Sequence, residues 1–290
     1  MYRKILVPLD GSKLAEQILP FAQSLAQALQ TSVELLSVNE PDKMTASAPP
    51  LQGGKYLDEV AKKYFASARR VDKIVELGSP AEVIVDRASS DPACLIAMAT
   101  HGMSGIRRWL IGSVASKVAQ TAANPLLLIR PSEDAEPVAA RSQLKTLFVP
   151  LDGSGLAERA LRHAVELAKR MNCEIHLMRM YTLPANVYVL ADGVIGQGPA
   201  QYREAMQQEA ATYLDGKVEE LRAHGLDRVI ATAIEGDPAS EIIDIDVKTP
   251  NGLIVMSTHG RSGVGRWLLG SVAEKVIQHS AAPVLLIRAG

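Results

Sequence analysis

Aromatic residues are scarce in this chain: Phe, Trp and Tyr make up 4% of its 290 residues. Its cores must therefore be built mostly from Leu, Ile, Val and Ala. Cysteine is scarcer still, with two residues. Cys94 and Cys173 each sit in an apolar, strand-like run (ACLIAMA and CEIHLM), make no metal or redox motif, and read as buried thiols. Neither sign of charge dominates. Lys plus Arg number 31 against 32 for Asp plus Glu, a formal net charge of -1. That balance argues against a general nucleic-acid or anionic-membrane surface and leaves room only for a small basic pocket. No uninterrupted apolar stretch approaches the roughly 18 residues of a membrane span. The opening MYRKILVPLD is interrupted by Pro8 and Asp10 too early for a signal peptide. The expectation is a reduced, soluble, cytoplasmic protein with neither nucleic acid nor membrane as partner.

What is present is a duplication. The apolar content of 47% suits an ordinary globular protein, and the length corresponds to about two domains of roughly 150 residues. Residues 5–12 read ILVPLDGS and residues 147–154 read LFVPLDGS; ATHGMSGIRRWLIGSV at 99–114 returns as STHGRSGVGRWLLGSV at 257–272. Both units close alike, on NPLLLIR and APVLLIR. The copies are 142 positions apart at Asp10 and Asp152 but 158 apart at His101 and His259. Most of the difference has accumulated by the shared Tyr-Leu-Asp at Tyr56 and Tyr213, so the second unit has a longer loop and extra helical turns between Met180 and Tyr213. Pro131–Arg141, polar and proline-bearing, reads as the linker. The expected division is 1–131, a linker at 132–142, and 143–290.

Within the first unit, apolar strand runs alternate with helical patterns: KILVPL, a helix over Lys13–Gln30, SVELLSV, a helix around Tyr56–Ala68, VDKIVEL, a helix near Ala81–Ser89, CLIAMA, a helix from Ser113, and PLLLIR. Alternating strands and helices predict an α/β fold with parallel sheets and right-handed crossovers. Runs such as LLLIR suit strands buried on both faces. The chain is therefore expected to form two tandem, doubly wound, five-stranded parallel-sheet domains. Ser12 and Ser113 are the expected N-caps of the first and fourth helices.

Ligands of open α/β sheets bind beyond the carboxyl ends of the strands, where the strand order reverses. Two segments in each unit suit that place. At the end of the first strand, Pro8 and Asp10 are matched by Pro150 and Asp152. An Asp there accepts a hydrogen bond from a ribose hydroxyl or an adenine amine, or else caps the amides of its own turn; both readings stand. After the fourth strand, a loop runs from Thr100-His101-Gly102 through Gly105 to Gly112-Ser113, with Gly260, Gly263, Gly270 and Ser271 as counterparts. Glycines allow close backbone approach, and a helix N-terminus presents unpaired N–H groups to an anion, most naturally a phosphate chain. The alternative is a glycine-rich surface loop with an ordinary serine cap. The spacing is neither a Walker A nor a Rossmann pattern. His101 and His259 read as loop hydrogen-bonding residues rather than acid–base catalysts, Trp109 and Trp267 as packing residues, and no catalytic residue is nominated.

At these residues the chain resembles the universal stress protein family, as a tandem of two such domains. The carrying marks are V-P-L-D-G-S, Gly-Ser/Asp-Pro-Ala at Gly78–Ala81 and Gly236–Ala239, and the long glycine loop, where Gly102 and Gly112-Ser113 stand at the spacing of the family's ATP-binding motif, as do Gly260 and Gly270-Ser271. The motif's first glycine is replaced by Ala99 and Ser257. The resemblance implies ATP or another adenine nucleotide, with Mg. Asp10 and Asp152 would contact adenosine, and the backbone at Val38 and Met180 would meet adenine. Gly102, Gly112, Ser113 and Val114, and Gly260, Gly270, Ser271 and Val272, would hold ribose and phosphates. Arg261, where the first unit has Met103, is expected to tighten triphosphate binding in the second unit; conversely, the first unit has Arg107 where the second has Gly265. The resemblance further implies that the final strands pair between the domains, making an intramolecular pseudo-dimer with further homodimerisation open. It implies a nucleotide-dependent stress-response regulator rather than a catalyst. The other readings are a nucleotide-free interaction protein and a slow ATP hydrolase. The insert of the second unit reads as a lid over its site or as a partner-binding loop.

Overall fold

The computed structural model describes residues 2–41, 53–102, 111–131, 142–183, 199–249, 251–259 and 269–288. In the first unit β1 (Lys4–Pro8), α1 (Lys13–Glu16), α2 (Leu19–Leu29), β2 (Ser32–Asn39), α3 (Gly53–Tyr64), β3 (Val71–Leu77), α4 (Pro80–Ser89), β4 (Cys94–Ala99), α5 (Ser113–Thr121) and β5 (Leu126–Ile129) follow in order. The second unit repeats them as β6 (Thr146–Pro150), α6 (Gly155–Met171), β7 (Glu174–Tyr181), α7 (Pro199–Ala223), β8 (Val229–Glu235), α8 (Pro238–Lys248), β9 (Gly252–Ser257), α9 (Ser271–His279) and β10 (Val284–Ile287).

The ten strands among the described residues form one sheet, in the order β3-β2-β1-β4-β5-β10-β9-β6-β7-β8. Pairing is parallel within each unit and antiparallel only where the units join, with Val284 opposite Leu128, Leu285 opposite Leu127 and Leu286 opposite Leu126. The expected pairing of the final strands is therefore present inside one chain. One helical layer, carrying α1, α2, α3, α6 and α7, packs on one face around Leu25, Leu57, Leu161 and Leu214. The other, with α4, α5, α8 and α9, packs around Ile84, Val118, Ile242 and Val276. Both cores run through both units, and their largest members are aliphatic, with Phe148 an exception. The scarcity of aromatics is thus met by Leu, Ile and Val packed on both faces of the sheet.

Three contacts reinforce the junction. Arg130 Nη1 donates to the Gln278 carbonyl in the last turn of α9, and Arg288 Nη1 donates to the Ala122 carbonyl at the C-cap of α5, each at 2.9 Å. Each arginine thus places its charge at the negative end of a helix in the other unit. Tyr2 and His163 stack across the junction, with the Tyr2 hydroxyl 2.7 Å from His163 Nδ1.

Three expectations need adjustment. The helix over Lys13–Gln30 is two helices, broken at Gln17-Ile18. Pro20 is the cause: it has no N–H to give residue 16, and its ring occupies the space of that carbonyl, so the chain restarts with the proline in a first turn. The third helix ends at Tyr64 rather than Ala68, because Phe65 turns into the core and the Ala68 amide closes a turn on the Phe65 carbonyl at 3.0 Å. Finally, Ser113 is the first helical residue of α5 and Gly112 is the N-cap. Gly112 has little room for a side chain: a Cβ there would lie 2.9 Å from the Thr100 carbonyl oxygen.

Candidate functional site

In each unit the strand order reverses beside the first strand, between β1 and β4 and between β6 and β9. That is where a doubly wound sheet opens a crevice, and both predicted segments arrive there. β1 leaves the sheet at Pro8, and Leu9 keeps one more bond, from its amide to the Leu36 carbonyl at 2.8 Å. Asp10 then takes the turn. Its Oδ1 accepts from the Ser12 amide at 3.0 Å, Gly11 adopts φ +82°, and Ser12 Oγ accepts from the Ala15 amide at 3.1 Å to cap α1. The second copy repeats this, with Ser154 N to Asp152 Oδ1 at 2.9 Å, Gly153 at φ +83°, and Ala157 N to Ser154 Oγ at 3.2 Å. One oxygen of each aspartate therefore does the work of a turn cap. The other oxygen of Asp10 is aimed at the glycine loop: a Cβ on Gly102 would stand 1.9 Å from Asp10 Oδ2. The structure thus brings Asp10 and Gly102, 92 positions apart, into contact distance.

The glycine loop is anchored at both ends. Thr100 N donates to the Ile129 carbonyl and Gly112 N returns to the Thr100 carbonyl, both at 2.8 Å; Thr258 and Gly270 do the same at 3.0 and 2.8 Å. The loop is therefore pinched shut at its base, and α5 and α9 start against the end of β4 and β9. Neither helix has a side-chain cap on its first turn. Ser113 and Ser271 present exposed hydroxyls there, while Val114 and Val272 pack back on the core. Val38 and Met180 stand near the ends of β2 and β7, partly buried on that same face. Gly105, Gly260, Arg261 and Gly263 lie outside the described residues, as do Met103, Arg107, Trp109, Gly265 and Trp267.

His101 and His259 occupy matched positions. Nδ1 of each lies beside the hydroxyl of the preceding threonine, at 3.0 and 3.1 Å. Their Nε2 atoms are buried without a hydrogen-bond partner among the described residues. An orphaned polar atom of this kind, repeated in both copies beside an uncapped helix start, fits a site that a polar ligand completes. The changes at the motif's first glycine are absorbed locally. The Ala99 methyl belongs to the core, 7% exposed, and Ser257 Oγ donates to the His259 carbonyl at 2.7 Å.

Two residues that spacing alone did not single out hold matched positions, Tyr56 beside the Asp10 turn and Tyr213 beside Glu158 and Arg179. Tyr56 is pushed above the usual tyrosine range by burial first, and then by the negative charges of Glu16 and Asp10. Tyr213 is raised for the same leading reason, and its hydroxyl donates to Glu158 at 3.3 Å while Arg179 lies over its ring at 4.5 Å. The shared Tyr-Leu-Asp and the matched Glu16 and Glu158 were the available signals. The extra turns of the second unit are helical: α7 has 25 residues against 12 in α3. It starts 14 residues before Tyr213, where α3 starts three before Tyr56, and the added residues lengthen it by about 16 Å. Arg179 to Glu209 at 2.9 Å and Arg203 to Glu235 at 2.8 Å tie this arm down.

Comparison with known proteins follows the same duplication. The model of the universal stress protein family matches residues 1–130 and again 143–288. The chain belongs to that family. A universal stress protein of Mycolicibacterium smegmatis is 24% identical over 98% of this chain and 96% of its own. Universal stress protein MJ0531 of Methanocaldococcus jannaschii is 31% identical over 50% of this chain and 82% of its own. Among solved structures, a universal stress protein from Archaeoglobus fulgidus superposes with TM-score 0.67 at 20% identity, covering 99% of this chain and 96% of that one. The family places both crevices in homologous positions of a tandem universal stress protein. Among the described residues no group of three His, Cys, Asp or Glu side chains could hold a metal ion, and no helix is long and apolar enough to cross a membrane.

Proposed function

We propose that this universal stress protein binds an adenine nucleotide in each unit, 1–131 and 143–290 with 132–142 as linker, and acts as a nucleotide-dependent stress-response regulator rather than primarily as a catalyst. The observation that carries the reading is the approach of Asp10 Oδ2 to Gly102 beside the uncapped start of α5. It sets a carboxylate acceptor for ribose or adenine next to a cluster of backbone donors for phosphate, at the crevice where the strand order of the first unit reverses. In this reading Pro8 and Asp10 hold the adenosine end and the Val38 backbone meets adenine. Gly102, Gly105, Gly112, Ser113 and Val114 hold ribose and phosphates. Pro150, Asp152, Met180, Gly260, Arg261, Gly263, Gly270, Ser271 and Val272 form the second site, with Arg261 supplying a cation that the first lacks. Mg carried by the phosphates would offset their charge, and the protein's part is to orient the chain against the helix start.

Denaturing mass spectrometry of freshly purified protein, followed by calorimetric titration with ATP–Mg, ADP and AMP, tests the reading. One or two adenine nucleotides per chain are expected, with loss of one site in Asp10→Ala. A protein that is purified empty and ignores all three nucleotides would overturn the reading in favour of a nucleotide-free interaction protein. Turnover that disappears in the Asp10→Ala, Asp152→Ala double variant while binding survives would instead make it a slow hydrolase.

A further inference from the structure

The two outer edges of the sheet are copies of one another by descent, yet opposite in chemistry. On β3 the residues facing the α4 side are Asp72, Ile74 and Glu76; Asp72 pairs with Arg70 at 3.0 Å, and Glu76 belongs to a charged lattice. Glu34, 5% exposed, binds Lys4 at 3.1 Å and Arg87, and Arg87 also binds Glu76. On β8 the corresponding residues are Ile230, Thr232 and Ile234, while Glu34, Arg87 and Ser89 are matched by His176, Ile245 and Val247. On the α8 face of this edge charge has been removed and apolar surface put in its place, while on the opposite face Glu235 stands where β3 has the exposed Leu77. Ile230 is 45% exposed and Val247 is 74% exposed, and both lie toward the amino end of the strands, where α8 returns to the sheet. Edge strands that stay monomeric carry charges or other obstacles to pairing. β3 carries them at Asp72, Lys73 and Glu76; β8 carries no charge from Val229 through Ile234.

The register of β8 shows what would fit. Ile175 N donates to the Arg228 carbonyl and Gly236 N to the Tyr181 carbonyl, so even-numbered residues turn their peptide groups toward β7. Ala231 and Ala233 turn theirs outward. We propose that this edge is a self-association surface: β8 of one chain pairs antiparallel with β8 of a second copy, about a two-fold axis at Thr232, giving a continuous sheet across a homodimer. In that register Ala231 of each chain exchanges both backbone hydrogen bonds with Ala233 of the other. Thr232 meets itself in the closer, non-hydrogen-bonded spacing, and Ile230 lies opposite Ile234. Four isoleucines then close one strip on the α8 face. The same operation on β3 sets Asp72 opposite Glu76, like charge against like, which is destabilising. The chain already uses this mode once, where β5 and β10 join antiparallel through leucines and a valine.

Sedimentation velocity of the full chain tests the proposal. The wild type is expected to form a dimer in the micromolar range. Ile230→Asp with Ile234→Glu, which restores the β3 pattern, is expected to be monomeric with an unchanged far-UV circular dichroism spectrum. Ala231→Pro, which removes an outward N–H that no other strand of the described sheet uses, is expected to be monomeric as well. Thr232→Cys gives a signal that does not depend on a loss. Its symmetric Cα separation of about 4.5 Å permits a disulfide, both native cysteines are buried, and mild oxidation is expected to link two chains. A wild type that stays monomeric at about 100 μM overturns the proposal, as does a dimer that survives both the Ile230→Asp, Ile234→Glu and the Ala231→Pro changes, or a Thr232→Cys protein that remains unlinked while dimeric.

Discussion

At the scale of single residues, close approach decides which changes the site tolerates. A methyl on Gly102 would enter the space of the Asp10 carboxylate, 1.9 Å from Oδ2. Gly102→Ala is therefore expected to weaken nucleotide binding in the first unit at least tenfold by calorimetry. In an Asp10→Ala background the further effect of Gly102→Ala should shrink, because the two residues share one contact. A second residue-scale prediction concerns pH. Burial, with Arg162 and the N-terminal charge adding to it, lowers His163 from 6.5 to about 4, so the folded chain holds this imidazole neutral beside Tyr2. The unfolded chain takes up the proton first as pH falls. Stability from this group is thus complete above about pH 6.5 and declines as pH falls toward 4, by on the order of 1–2 kcal/mol after allowance for solvent screening. Urea unfolding at pH 7 and pH 4.5 should show a smaller difference in His163→Phe than in wild type. The two cysteines do not enter such titrations near neutrality, since burial pushes both thiols up to about 11.

At the scale of elements, helix starts divide into those the chain caps for itself and those it leaves open. Ser12 and Ser154 cap α1 and α6 with their hydroxyls. Ser12→Ala is expected to lower stability by about 1 kcal/mol while leaving nucleotide affinity nearly unchanged. Ser113 is the first residue of α5, after the Gly112 cap position, so Ser113→Ala should change stability by less than about 0.5 kcal/mol yet weaken phosphate binding. Opposite ordering of the two variants, by denaturation and calorimetry, would refute this division. Local chemistry explains why one serine was legible and the other not. Ser12 follows a strand and an Asp-Gly turn, a strong start signal. At Gly112-Ser113 the cap position was decided by the Thr100 carbonyl, a dozen residues away in sequence, which leaves room for glycine alone. Pro20 is the converse case, since its effect on the helix could be read from the sequence but was outweighed there by an unbroken apolar spacing.

For the whole molecule, the junction between units is one sheet rather than two domains in loose contact. Arg130 and Arg288 reach across it reciprocally, each to a helix end of the other unit. Arg130→Met and Arg288→Met are each expected to lower stability by about 1 kcal/mol, and their effects should add, because they cap different helices. Urea unfolding of the single and double variants measures this. One cooperative transition is expected throughout, since both cores extend through both units.

The α/β class, the duplication, the strand segments and the pairs Asp10 with Asp152 and Gly112 with Gly270 were all in the sequence, because periodicity and turn chemistry are local and were written twice. The family follows from the same repeated segments. Three things belonged to the tertiary structure alone: which oxygen of Asp10 caps its turn and which faces Gly102, the burial of His101 Nε2 and His259 Nε2 beside the uncapped helices, and the neighbourhood of Tyr56. Each depends on contacts between segments tens of residues apart, and such contacts exist only once the strand order has set β1 between β2 and β4. The outer edges make the same point. The substitution of Ile230 and Ile234 for Asp72 and Glu76 is visible in the chain, but that β8 is an edge at all is settled by sheet order, which no local pattern encodes.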